Sequence, residues 1–356
     1  MTAHTSLLSY CRAGFEGEGA AELGALGAPA GGHVRTERGT GLVELVLPDT
    51  QVLAQVSAAA SWRDLVFSRQ LLPCFARVRD LPSHDRLAAV LPAIREQGTA
   101  FCDAWIETPD SDDTRELAPL CRSLNSALVA QLKRERLIDR AAPVRLHLCL
   151  TAPTNVYLAR ADVARSSPWP GGIPRLRFPR GAPSRSTLKL EEALLVLLDD
   201  DERARWLQPG MRAVDLGAAP GGWTWQLVAR SLHVTAVDNG PMDAGLLASG
   251  QVDHLRADGF RYRPARPVDW LVCDMVEQPR RVTARIAEWL AQGWCRQAIF
   301  NLKLPMKKRY DEVQLCLAML RESAGERLHL RARQLYHDRE EITVFARAGG
   351  RTAATA

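Results

Sequence analysis

The segment Met211–Trp223, MRAVDLGAAPGGW, constrains this chain more than any other stretch. A short apolar run, Ala213-Val214, leads into Asp215-Leu216-Gly217, and Pro220-Gly221-Gly222 then opens an apolar stretch of helical character. That is a buried strand entering a glycine-rich turn at a helix N-terminus, where α/β sheets hold nucleotide-like ligands. The glycines stand at 217, 221 and 222, so the G-x-G-x-x-G spacing of a pyrophosphate site is absent. Such a turn suits a ligand whose linker carries no charge.

Around the turn, apolar strands alternate with helical patterns. Strands are expected at Ala213–Leu216, His233–Val237, Val252–Leu255, Trp270–Asp274 and Ala298–Lys303. Helices are expected at Ser186–Leu198, Trp223–Leu232, Pro279–Ala291 and Arg309–Arg321. Leu328–Leu335 and Ile342–Ala346 flank Tyr336–Glu341 as a terminal hairpin. This alternation predicts a doubly wound, Rossmann-like parallel sheet with an antiparallel edge strand.

A chain of 356 residues suits two domains. Before the sheet, short apolar stretches (Leu42–Leu47, Asp64–Phe67, Val144–Leu150) mix with a helical pattern at Leu117–Leu137, which suggests an α+β domain or two small ones. From Arg160 to Leu190 there are seven basic residues against one acid, Asp162, and SPWPGGIPRLRFPRGAPSRS excludes a regular element. The expected organisation is α+β over 1–155, a basic Pro/Gly-rich linker over 156–185 and the Rossmann-like domain over 186–356. The linker reads either as a surface connector or as one wall of a nucleic-acid path.

The net charge is only +5, yet arginine greatly outnumbers lysine, and arginine favours bidentate phosphate contacts. The eight cysteines form no C-x-x-C pair and read as reduced thiols, with no metal site expected. MTAHTSLLSY lacks a basic region ahead of an apolar core, and no run approaches the roughly 20 apolar residues of a membrane span. A cytoplasmic protein without a membrane partner is expected.

In a doubly wound sheet the ligand lies beyond the carboxyl ends of the strands. The first strand ends in Asp215 and the glycine turn, and the second in Asp238, where a carboxylate can bridge ribose hydroxyls. The third is followed by Asp258-Gly259, placed to accept from an adenine amino group. The fourth ends Cys273-Asp274-Met275, and the fifth Asn301-Leu302-Lys303-Leu304-Pro305. One Asp at a strand end is ordinary structure. Successive acidic ends with a glycine turn favour a cationic, hydroxyl-rich ligand over free phosphate, and S-adenosylmethionine has both properties.

A methyl sulfonium needs an in-line nucleophile, so such an enzyme positions the acceptor and manages its proton. Base-carbon methylation needs a cysteine, usually beside proline; Cys273 has no such proline and is expected to point into the sheet. Amino methylation typically uses Asn/Asp-Pro-Pro-aromatic, and here the residues are Asp-Met-Val-Glu. What remains is Lys189 on the leading helix, Asp274, Lys303, and Glu341 before the last strand. A ribose 2′-hydroxyl is a very weak acid that needs an amine base or a strong field, which paired lysines and carboxylates supply. The competing reading is a structural Lys303–Asp274 ion pair with Lys189 solvated.

The Lys-Asp-Lys-Glu quartet resembles the signature of ribose 2′-O-methyltransferases of the heat-shock RNA methyltransferase superfamily. More closely, APSRSTLKLEEA (182–193), DLGAAPGGWTWQLV (215–228), VDNGPM (237–242), CDMVEQP (273–279), NLKLPMKKRY (301–310) and ARQLYHDREE (332–341) are similar to the RlmM family. That family comprises bacterial 23S ribosomal RNA cytidine 2′-O-methyltransferases. CRAGFE (11–16) and LVFSRQ (65–70) extend the resemblance to the N-terminal half. It implies a THUMP-type RNA-binding region ahead of the catalytic domain. It also implies a monomer that methylates a cytidine ribose before subunit assembly.

On the same resemblance, Ser186, Ala219, Pro220, Gly221, Gly222, Asp238, Asp258 and Asp274 contact S-adenosylmethionine. Lys303 accepts the proton, and Lys189, Asp274 and Glu341 complete the catalytic set. Glu340 is adjacent and only one glutamate fits; Glu341 is preferred because it directly precedes the strand. Arg175, Arg177, Arg180 and Arg185 in the linker, with Lys307, Lys308 and Arg309 beside Lys303, would neutralise phosphates of 23S RNA. Trp169 and Tyr310 either pack or stack a splayed base. Two alternatives stay open: the same chemistry on another RNA such as tRNA, and a non-catalytic rRNA-binding assembly factor.

Overall fold

The computed structural model describes residues 2–325 and 328–349, and the chain divides into two compact units, Met1–Pro174 and Arg175–Ala356.

In the first unit the strands are β1 (Thr2–Tyr10), β2 (His33–Thr36), β3 (Leu42–Val46), β4 (Gln70–Val78), β5 (Ala104–Glu107), β6 (Val144–Ala152) and β7 (Asn155–Asp162). They form one sheet in the order β2-β3-β1-β4-β7-β6-β5, in which β5 and β6 run parallel and the other neighbours antiparallel. Its helices are α1 (Glu16–Gly27), α2 (Thr50–Ala59), α3 (Arg86–Arg95) and α4 (Ala118–Arg134). The carboxylates of Asp49 and Asp85 accept the Val52 and Ala88 N–H groups at 2.8 and 3.2 Å, which caps α2 and α3. Ile94 of α3 and Leu128 and Leu132 of α4 pack with Leu146, Leu148 and Leu158 of β6 and β7.

Two expectations change here. The boundary at 155 falls on the first residue of β7, which pairs with both β4 and β6. A strand held on both edges cannot belong to a linker, so the unit runs to Pro174. The apolar stretch Asp64–Phe67 is not a strand, because the buried Glu22 carboxylate takes the Phe67 and Ser68 N–H groups, both at 3.1 Å, in place of a sheet partner.

The second unit holds β8 (Arg212–Leu216), β9 (His233–Val237), β10 (Val252–Leu255), β11 (Val268–Cys273), β12 (Cys295–Lys303), β13 (Leu328–Arg333) and β14 (Glu341–Ala348). The order is β10-β9-β8-β11-β12-β14-β13; the first five are parallel, and β14 lies antiparallel to β12 and to β13. Its helices are α5 (Thr187–Leu197), α6 (Asp200–Trp206), α7 (Gly222–Val228), α8 (Ala244–Ala248), α9 (Pro279–Ala291) and α10 (Arg309–Ala324). β8, β11 and β12 are almost wholly buried, as parallel strands covered on both faces must be. Helix α7 stops before the expected Leu232, with Ser231 in the left-handed region at φ 61°.

From β8 the chain runs outward through β9 and β10, then returns to place β11 and β12 on the other side. The reversal between β8 and β11 opens a crevice at their carboxyl ends, the usual ligand position in such sheets. Among the described residues no helix is long and apolar enough to cross a membrane.

Candidate active site

The glycine turn leaves β8 at the edge of this crevice. Gly217 and Gly221 adopt φ of 78° and 116°, in the region that favours glycine. A Cβ at Gly222 would run into the Ser184 and Ser186 hydroxyls, which are hydrogen-bonded to each other at 2.7 Å. The Ala219–Pro220 peptide is cis. Behind the turn, Asp215 is buried; its Oδ2 accepts the Thr224 hydroxyl at 2.7 Å, and its Oδ1 has no partner. Burial pushes this carboxyl up to about 7.

Asp238 ties β9 to the turn, since its two oxygens accept the Ala219 and Gly240 N–H groups at 3.0 and 2.7 Å. Asp258, after β10, is exposed, accepts the Phe260 N–H at 2.8 Å and lies 3.6 Å from Arg261. A Cβ at Gly217 or Gly259 would meet the Met275 side chain, so Met275 connects these two loops. Nothing in the sequence pattern gave Met275 a role, and only the two glycines hinted that something close-packed lay between them.

Across the switch point four charges form a ring. Lys303 and Glu341 are register partners on β12 and β14, so their side chains share one face. The buried Glu341 carboxylate bridges two ammonium groups, Lys303 at Oε2 and Lys189 of α5 at Oε1. Asp274, just past β11, closes the ring with Oδ2 3.4 Å from Lys189 and Oδ1 3.6 Å from Lys303. Burial opposes the charge on Lys189, but Asp274 and Glu341 outweigh it and hold this amine above the ordinary lysine range. Glu340 faces the other way, exposed, with Arg309 at 3.5 Å.

The ring is braced from outside. Asn301 donates to Asp274 Oδ1 at 2.9 Å, and Thr343 links Asn301 to the buried Asp338. On α5, Glu192 lies one turn beyond Lys189 and accepts the Tyr336 and His337 N–H groups at 2.8 and 2.9 Å, which anchors the loop that leads to Glu341. Thr343, Asp338 and Glu192 carry no signal in the sequence, and Asn301 stands out there only as part of a strand end.

Cys273 is fully buried, with its thiol pushed up to about 12 by burial, which makes it a core residue. Arg175, Arg177, Arg180, Arg185, Lys307 and Lys308 are exposed, whereas Arg309 and Tyr310 are half-buried. The Arg175 guanidinium lies over the Tyr336 ring at 5.1 Å. Trp169 belongs to the first unit and packs edge-on to the buried Trp62, with centroids 6.2 Å apart, so it has a packing role.

A doubly wound sheet with a glycine turn, acidic strand ends and this ring defines a methyltransferase of the FtsJ-like class, and residues 182–323 match the FtsJ-like methyltransferase family model. Residues 4–72 match the RlmM ferredoxin-like domain, and residues 85–162 the N-terminal region of Ribosomal RNA large subunit methyltransferase M. The chain is 53% identical over 350 residues to Ribosomal RNA large subunit methyltransferase M of Xanthomonas oryzae pv. oryzae (strain PXO99A), covering 97% of this chain and 100% of that one. It is 52% identical over the same length, with the same coverage, to the protein of that name from Xanthomonas campestris pv. campestris (strain B100). The chain therefore belongs to the RlmM family of ribosomal RNA large subunit methyltransferases. The match at 4–72 is to a ferredoxin-like domain, where the resemblance had implied a THUMP-type one.

Proposed function

We propose that this protein, as a cytoplasmic monomer, methylates the ribose 2′-hydroxyl of a cytidine in 23S ribosomal RNA before subunit assembly. The ring of Lys189, Asp274, Lys303 and Glu341 carries this reading. A protein that only bound RNA would have no use for two amines and two carboxylates converging at the mouth of a sheet. The relatives' names point to ribosomal RNA rather than tRNA.

The donor set fits S-adenosylmethionine. Asp238 and Asp258 are acceptors for hydroxyl and amino groups, and residues 219–222 present backbone with almost no side chain. Asp274 is an anion for the sulfonium, and Ser186 stands beside Gly222. When bound, S-adenosylmethionine supplies an electrophilic methyl group. Lys303 acts as the free amine, having first released its ammonium proton to solvent, and takes the proton of the 2′-hydroxyl, while Glu341 and Asp274 fix the direction of its amine. Lys189, held charged by the same carboxylates, stabilises the developing alkoxide.

Lys307, Lys308 and Arg309, with Arg175, Arg177, Arg180 and Arg185, neutralise RNA phosphates and position the strand without reading bases. The first unit is a THUMP-type RNA-binding region in this reading. An open groove of about 520 Å³ in this unit is lined by Arg35, Arg77 and Arg79 but also by Glu37, Glu44 and Asp113, so its charge is balanced and does not itself mark an RNA path. The test is to incubate the full chain with protein-free 23S RNA, or with tRNA, and tritiated S-adenosylmethionine, then map the label. A cytidine ribose of 23S RNA is the expected position. Label on a base, on tRNA alone or nowhere overturns the proposal.

A further inference from the structure

Two loops leave the carboxyl edge of the sheet beside the ring: 275–278, between Asp274 and α9, and 304–308, between Lys303 and α10. Each carries one apolar side chain turned to solvent. Val276 is 85% exposed and Met306 92%, whereas the next large apolar side chain among the described residues, Phe178, is 47% exposed. A single exposed apolar residue is ordinary surface. These two are the extremes of the described residues, and both stand at the ring. Val276 lies two residues past Asp274 and Met306 three past Lys303, so the backbone keeps them within roughly 7 and 11 Å of those residues.

Neither loop hangs free. Met275 fills the space beside Gly217 and Gly259, where a Cβ would come within 2.7 and 3.0 Å of it, while its neighbour Val276 points outward. The Leu304 N–H donates to the Glu340 carbonyl at 2.8 Å, and Pro305 restricts the backbone ahead of Met306. The helices that follow are joined at their starts, where Arg280 of α9 donates to Glu312 of α10 at 3.0 and 2.8 Å. The charge beside the apolar pair suits an anion. The one acid within the two loops, Glu277, is paired with Arg281, and the exposed Lys307 and Lys308 follow Met306 directly. Glu340 is engaged by Arg309, and Asp311 is outnumbered by the two lysines.

We infer that Val276 and Met306 form an apolar seat for the base of the acceptor nucleotide in RNA, an inference that rests on the proposed ribose methylation. The base hangs on the same ribose as the 2′-hydroxyl. Whatever nucleotide brings that hydroxyl to Lys303 therefore carries its base to the adjoining rim. An unstacked base exposes two apolar faces, and side chains without hydrogen-bonding groups meet a face without reading an edge. Lys307 and Lys308 lie alongside for the phosphates. The seat touches no reacting atom; it keeps the splayed nucleotide at the ring instead of letting it restack on its neighbours.

Methionine oxidation tests the seat without turnover. Full-length protein is treated with dilute hydrogen peroxide, with and without saturating protein-free 23S RNA, and the sulfoxide at each methionine is followed by mass spectrometry. Met306 is expected to oxidise at least about fivefold more slowly with RNA. Met211, half-buried at the opposite, amino end of β8, keeps its rate. In kinetics, Val276→Ser/Met306→Ser lowers kcat/KM for RNA about tenfold, whereas Met306→Leu stays within about twofold of wild type. The Kd for S-adenosylmethionine and the salt slope of RNA binding do not change in the double variant, which separates an apolar seat from phosphate neutralisation.

Equal oxidation of Met306 with and without RNA overturns the inference, as does wild-type kcat/KM or an altered salt slope in the double variant. The kinetic arm depends on the proposed reaction, but the oxidation arm does not. Ribose methylation with Met306 unprotected condemns the seat alone. Protection of Met306 by RNA that is never methylated condemns the proposed reaction alone.

Discussion

Replacing Lys303 by methionine separates what the ring does for folding from what it does for chemistry. Lys303→Met keeps a stem of similar length and takes the ring from formal neutrality to one net negative charge. Neither carboxylate is orphaned: Glu341 keeps Lys189, and Asp274 keeps Lys189 at 3.4 Å and Asn301 at 2.9 Å. The folding cost is therefore that of lost charged hydrogen bonds, about 1–3 kcal/mol, rather than that of a stranded buried charge. For a unit of this size that lowers Tm by roughly 2–10 °C. Losing a general base costs about 10²–10⁴ in rate, or about 3–5 kcal/mol of barrier. The chemistry thus fails while the fold survives. Single-turnover transfer of tritiated methyl reads the first effect, and calorimetric titration of S-adenosylmethionine reads the second, with Kd expected within about threefold of wild type. A rate within about tenfold of wild type would refute the base assignment, and weakened cofactor binding at a normal rate would move Lys303 into the cofactor site.

Asp215 makes stability depend on pH. Its folded carboxyl, at about 7, lies above the ordinary 3.8, so the unfolded chain releases this proton first and stability falls as pH rises between those values. Asp215→Asn should gain on wild type through that window, by up to about 4 kcal/mol at pH 8 in urea unfolding, and a pH-independent difference would contradict it. The reversal Lys307→Glu/Lys308→Glu should weaken RNA binding and reduce the salt slope by about 0.7 for each single-strand phosphate that is no longer neutralised; an unchanged slope marks both as plain surface charge. At Gly221 the φ of 116° and a Cβ collision with Leu246 make Gly221→Ala destabilising by about 1–3 kcal/mol, and an unmoved urea midpoint would show that the turn relaxes freely.

The second unit was legible because its signals are local. The limits of β9, β10 and α9 coincide with those read from apolar runs and from Pro279 at the helix start. The first unit was not, because its defining pairings are remote in sequence. β1 joins β4, and β4 joins β7, so residues near 5, 75 and 158 share one sheet. An apolar run announces a strand but not its partner. The segment after residue 155 therefore reads as linker when it is the strand that joins β4 to β6.

The site divides along the same line. Glu341 is preferred over Glu340 in the sequence because it directly precedes the expected strand; in the structure it is the first residue of β14 and stands in register with Lys303, which no sequence rule supplied. The side chains that brace Asp274 could not be read that way. Asn301, Thr343 and Asp338 are individually ordinary, and no spacing rule joins them. Yet Asn301 sits in the buried run Ala298–Leu302, where a polar side chain without a partner would cost about 1–3 kcal/mol. Its presence there required a donor or acceptor on a neighbouring strand, even though the sequence could not say which. The register with β14 supplies Thr343. The Thr343 hydroxyl in turn lies within hydrogen-bond distance of both Asn301 and the buried Asp338, which ties the strand pair to the turn before β14.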